Sequence, residues 1–65
     1  MKELLNNRFY TNEKELVNEI VDSEWEIDLF DYNELVISNG EVAEIYNLVR
    51  ANNTIGVYFR KVEEI

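Results

Sequence analysis

The sequence has no cysteine, no histidine and no proline, and its 65 residues include only two glycines. Without cysteine there are no disulfides, no thiolate metal ligands and no thiol nucleophile. Without histidine the chain lacks the side chain that most often serves as general acid or base and as zinc ligand. Ser23 and Ser38 therefore have no imidazole base, and a serine triad is excluded. Gly40 and Gly56 stand apart, so there is no glycine-rich phosphate loop. The longest apolar runs, Leu35-Val36-Ile37 and Val57-Tyr58-Phe59, are three residues, far short of a membrane span. The stretch from Met1 to Asn7 has no apolar h-region, so no secretory signal is expected and the reading is cytoplasmic, with no membrane contact.

What is present suits a folded domain. The chain is 46% hydrophobic and 31% charged, with 14 acids against 6 bases and a net charge of −8. That apolar share separates it from a disordered acidic tail. One acidic mini-domain over residues 1–65 is expected, of a size that buries only about 60% of its unfolded surface. Asn, Ile, Tyr, Phe and Lys make up 25 of the 65 residues. Their codons are AT-rich, which hints at a low-GC bacterium or one of its phages. The acceptor pattern Asn52-Asn53-Thr54 reads as a chance match in the absence of a secretory route.

Periodicity supplies the elements. Asn12 with Glu15 three residues on is a capping-box start, and Leu16, Val17, Ile20 and Val21 then form one apolar stripe, which predicts a helix over 12–23. At Glu24 the period changes to two. Trp25, Ile27 and Leu29 alternate with Glu24, Glu26 and Asp28, as a strand with one wet face requires. Asp31-Tyr32-Asn33 reads as a turn and 34–38 as a strand, and Asn39-Gly40 signals a type I′ hairpin. Residues 41–50 fit a helical stripe through Val42, Ile45, Tyr46 and Val49, or an imperfect strand in which Glu44 shares a face with Val42, Tyr46 and Leu48. The strand is preferred because turn signals bracket it. A last strand is expected over 54–62, while 1–11 reads as an opening helical turn or a short strand at 8–11. The expected fold is α+β, one amphipathic helix packed on a small antiparallel β-sheet, a meander of about three strands. The alternative is α-β-β-α-β. Trp25, Phe30 and Phe59 are expected in the core, and Tyr10, Tyr32, Tyr46 and Tyr58 partly exposed.

Charge placement is the most informative feature. Between residues 11 and 35, Lys14 alone stands against nine acids, so that segment carries the whole imbalance. Alternate strand residues are about 6.6–6.8 Å apart, which would make Glu24, Glu26 and Asp28 a regular anionic row. Glu15 and Glu19 lie one helical turn apart, about 6 Å along the axis, with Asp22 next on the same face. Such spacing is comparable to that of backbone phosphates and suits a basic groove built for nucleic acid. The candidate partner-binding residues are therefore Glu15, Glu19, Asp22, Glu24, Glu26, Asp28, Asp31 and Glu34. The competing reading is a solvated face that serves solubility, for which net charges of about 2–8 are ordinary.

Other chemistry finds little support. Carboxylate pairs can be drawn, but acid–base work needs a pocket that shifts one pKa, and a one-helix domain scarcely builds one. Asp28, Asp31, Asn33 and Glu34 resemble half a calcium loop, which fails because Leu35 stands at a ligand position and no glycine follows. No catalytic residue, cofactor or metal is expected. Six scattered bases cannot offset fourteen acids, so direct nucleic-acid binding is disfavoured. In size, charge and composition the chain resembles the small acidic inhibitors made by phages and mobile elements, nucleic-acid mimics and anti-CRISPR-type proteins among them. That resemblance carries no motif and no residue role. The expected function is a non-enzymatic binding protein whose acidic face meets a basic protein surface. The alternative is an assembly module, a homodimer formed through sheet edges and tyrosines, with a merely solubilising exterior.

Overall fold

Asn12 begins the helix as its sequence pattern requires. It has extended backbone, and its Oδ1 accepts the Glu15 N–H at 3.0 Å. Glu15 completes the cap from the other side, although its carboxylate reaches the Thr11 N–H (2.9 Å) and hydroxyl (2.7 Å) instead of the Asn12 amide. In the computed structural model, which describes residues 3–65, helix α1 spans Glu13–Asp22. Only Leu16 and Ile20 of its stripe are fully buried; Val17 is half-buried and Val21 is exposed. The apolar contact is therefore narrower than the four-residue stripe suggested.

The sheet has five antiparallel strands, not three. They are β1 (Arg8–Tyr10), β2 (Glu26–Phe30), β3 (Glu34–Ser38), β4 (Val42–Ala51) and β5 (Thr54–Glu64), in the order β1-β5-β4-β3-β2. Strands β2 to β5 form a meander, and β1 closes the far side by pairing with β5 from Arg8↔Val57 to Tyr10↔Ile55. The second helix of the alternative topology is absent among the described residues, because the segment is strand β4 from Val42 on. α1 makes its main contacts with β1 and β2, the two outermost strands. The sheet therefore curls around the helix.

Turn chemistry explains the connections. Asp31 Oδ1 accepts the N–H groups of Asn33 (3.2 Å) and Glu34 (2.9 Å) between β2 and β3. Between β3 and β4 only Gly40 has positive φ, and Asn39 acts through its side chain, accepting the N–H groups of Glu41 and Val42. The type I′ geometry expected there occurs instead at Asn52-Asn53, with φ of 53° and 62°, which joins Ala51 to Thr54. Gly56 lies opposite Phe9, and a Cβ on it would come within 2.9 Å of the Tyr58 ring and 3.2 Å of Phe9.

The core contains Leu5, Leu16, Ile20, Leu35, Ile37, Tyr46 and Val57, all fully buried, with Tyr10, Leu48 and Ile55 beside them. Tyr10 and Tyr46 were expected to be partly exposed, but both lie inside. The expected alternation in β2 also fails midway. Ile27 pairs with Ile37 and Leu29 with Val36, so Asp28 is an extra residue in a β-bulge. Beyond the bulge the phase reverses. Phe30 turns toward the core and Leu29 is 41% exposed on the outer face. Trp25 packs half-buried against the core just ahead of the strand.

No helix is long and apolar enough to cross a membrane among the described residues.

Candidate functional site

The eight acids singled out from the sequence do not form one surface. Four of them have internal partners. Glu15 caps α1 as described, and its bonds to the Thr11 hydroxyl and then the Thr11 amide hold its carboxyl below the usual range. Glu19 pairs with Arg8 at 3.3 Å, tying α1 to β1. Asp31 shapes the β2–β3 turn, and Glu34 on β3 pairs with Arg60 on β5 at 3.2 Å. Because β4 lies between β3 and β5, this last pair crosses over it, and Ile45 beneath is almost fully covered.

Asp22, Glu24, Glu26 and Asp28 are different. All four are exposed, and none has an ion pair or side-chain hydrogen bond among the described residues. They occupy one stretch from the last turn of α1 into the edge strand β2. They are not the regular row expected of a strand. Glu24 precedes β2, Glu26 lies in register with Ser38, and Asp28 is the bulged residue.

Two of these acids sit where the backbone disfavours them. Glu24 has φ of 65°, its N–H donates to the Val21 carbonyl (3.0 Å), and the Trp25 N–H donates to the Ile20 carbonyl (3.2 Å). This is the paired bonding of a Schellman motif, whose left-handed position normally takes glycine. Asp22 adds negative charge to the negative end of the helix dipole, and no basic residue occupies the last turn to offset it. Neither placement serves the fold.

The sequence reading missed a buried polar network. Glu44, only 2% exposed, accepts the Tyr46 hydroxyl at 2.5 Å and the Leu4 N–H at 3.1 Å through Oε1. The Tyr46 oxygen in turn accepts the Leu5 N–H at 3.1 Å. Burial, and then the bond to Glu44, push the Tyr46 phenol well above its ordinary range. The network fastens the N-terminal segment to β4. Its one visible signal in the sequence was Glu44, whose phase matched Tyr46 and Leu48. Tyr10 on β1 is also buried, its hydroxyl enclosed and without a hydrogen-bond partner among the described residues. Burial first, and then the Glu19 carboxylate, raise its pKa to about 12.

A cleft of about 370 Å³ opens where the α1 N-terminus meets the β2–β3 and β4–β5 turns. Arg50 dominates it. Its guanidinium pairs with Glu13 at 2.9 Å, donates to the Tyr32 carbonyl at 2.7 Å and lies 4.9 Å from the Tyr32 ring centre. The cation is thus engaged by two other parts of the same chain, and the cleft is a structural junction. Among the described residues no three carboxylates converge closely enough to hold a metal ion.

Compared with known protein families, curated proteins and solved structures, the chain matches none significantly.

Proposed function

We propose that this chain is a non-enzymatic binding protein that meets a basic protein surface through Asp22, Glu24, Glu26 and Asp28. The observation that carries the reading is that these four acids have no counter-charge among the described residues while two of them occupy positions unfavourable to the fold. A solubilising exterior would gain as much from acids placed at the helix N-terminus, where the dipole welcomes them. Glu15, Glu19, Asp31 and Glu34 are already engaged and act as supports. The partner surface is of the kind that binds phosphates, and the four acids occupy it by charge. Phage or mobile-element origin and inhibition of a nucleic-acid-binding partner belong to the same reading.

The test is affinity capture from a native-host lysate, comparing the wild type with the Glu24→Lys/Glu26→Lys/Asp28→Lys variant. We expect the wild type to capture a basic protein that duplex DNA or RNA displaces and that moderate salt releases, since exposed charges are screened within about 8–10 Å. The variant should remain folded by circular dichroism and capture nothing specific. Equal capture by both chains, or a complex insensitive to salt and nucleic acid, would overturn the reading in favour of a merely solvated face.

A further inference from the structure

The open end of β5 points to a second function for this chain, self-association. β1 covers only Ile55–Val57 of β5, and the Phe59 N–H donates to Asn6 Oδ1 at 3.0 Å just beyond. From Arg60 to Glu64, β5 has β4 on one side and no strand on the other among the described residues. The backbone phase of this edge is set by Ile65, whose N–H donates to the Glu41 carbonyl at 3.1 Å on the β4 side. Alternation then turns Lys61 and Glu63 toward β4 and presents the N–H and C=O groups of Val62 and Glu64 to the open edge.

We propose that this edge pairs with the same edge of a second copy, antiparallel, about a two-fold axis through Val62. In that register Val62 faces its own copy and Lys61 faces Glu63, while Arg60, the bulged residue of β5, stays with Glu34 and takes no part. The two charged residues beside the axis, Lys61 and Glu63, thus each meet the opposite sign, and like charges directly across a ladder are destabilising. The backbone phase leaves two neighbouring registers. One, centred on residue 61, sets lysine against lysine; the other, centred on residue 63, sets glutamate against glutamate. Edge charges of one sign block all pairing. This arrangement blocks the wrong registers and admits one.

Two further observations support a copy of the same chain as the occupant. The whole molecule carries −8, yet Arg60–Glu64 holds two bases and two acids, so here copies approach with little local repulsion. Val62 is 49% exposed, and pairing would cover it. The product is a continuous ten-stranded sheet, and an isologous interface of this kind closes at two. The four acids without ion-pair partners among the described residues run from the end of α1 into β2, the edge strand opposite β5's side of each sheet, so the dimer is independent of the partner reading and its failure leaves that reading untouched.

The test is sedimentation of the full chain from low micromolar to millimolar concentration at 0.15 M salt. A short edge contact should give a dissociation constant on the order of 10–100 µM. Lys61→Glu and Glu63→Lys, each alone, should weaken the dimer about tenfold, because a symmetric interface meets each change twice. Mixing the two variants should restore association, since each supplies the charge that the other lacks. Circular dichroism confirms that each chain is folded. A wild type that stays monomeric at 1 mM, a single variant that dimerises like the wild type, or a mixture that stays monomeric would each overturn the proposal.

Discussion

Tyr46→Phe removes one oxygen from the interior and tests the network that holds the N-terminal segment. The ring remains, and with it the edge-on contact to Phe59 at 5.9 Å, so packing changes little. Two hydrogen bonds disappear. The buried Leu5 N–H loses its acceptor, and Glu44 loses its shortest donor, keeping the Leu4 amide. An unsatisfied buried amide costs about 1–3 kcal/mol, and a hydrogen bond to a carboxylate contributes about 1.5–3 kcal/mol. The two overlap because one hydroxyl serves both, so the expected loss is about 3 kcal/mol. A domain of this length has a total stability of roughly 3–10 kcal/mol. The melting temperature should therefore fall by roughly 12–24 °C, at 4–8 °C per kcal/mol. Urea and thermal unfolding followed by circular dichroism measure the loss, and faster exchange of the Leu5 amide locates it. Glu44→Gln and the double variant complete a cycle, whose coupling energy should exceed about 1 kcal/mol. A Tyr46→Phe change smaller than about 0.5 kcal/mol would refute the argument, because it would mean that the hydroxyl is not what orders the segment.

Alkaline pH should destabilise the protein through the two buried tyrosines. Their folded-state pKa values are raised, Tyr10 to about 12 and Tyr46 likewise upward, against about 10 in the unfolded chain. The neutral phenols therefore favour the folded state, with their contribution present in full below about pH 10 and lost as the pH rises through about 12. Urea midpoints should fall over that window and fall less in Tyr10→Phe; a midpoint unchanged between about pH 9 and 12 would contradict the assignment. Glu24→Gly should stabilise the isolated chain by about 1 kcal/mol, because glycine takes the left-handed position at φ 65° without strain. Unchanged or lower stability would show that Glu24 makes a compensating interaction in the fold.

The helix was legible because its signals are local. Asn12, Glu15 and the Leu16–Ile20 spacing act within one or two turns, and α1 begins and ends within a residue of expectation. The strands at 34–38 and 54–62 and the preference for a strand at 41–50 were equally readable, from alternation between turn residues. The short strand Arg8–Tyr10 was one of two options, and pairing with Ile55–Val57 decided it. The candidate site was half legible. The acid-rich segment is plain in the sequence, but which acids stay unpaired depends on Arg8 reaching α1 and Arg60 reaching across β4.

Sequence alone therefore determined the α+β class, the cap, the turn positions and the confinement of the net negative charge to 11–35. Each of those follows from neighbours along the chain. Tertiary structure decided the rest. The bulge at Asp28 reversed the phase of β2, turned Leu29 out and dispersed the expected acidic row. The curl of the sheet around α1 buried Tyr10 and Tyr46, and Glu44 became tolerable inside only because Tyr46 and Leu4 meet it there. The physical reason is the same in each case. A bulge, a buried carboxylate or an ion pair between elements is stabilised in part by groups that only folding brings together, and no local pattern in the chain encodes where those groups will lie.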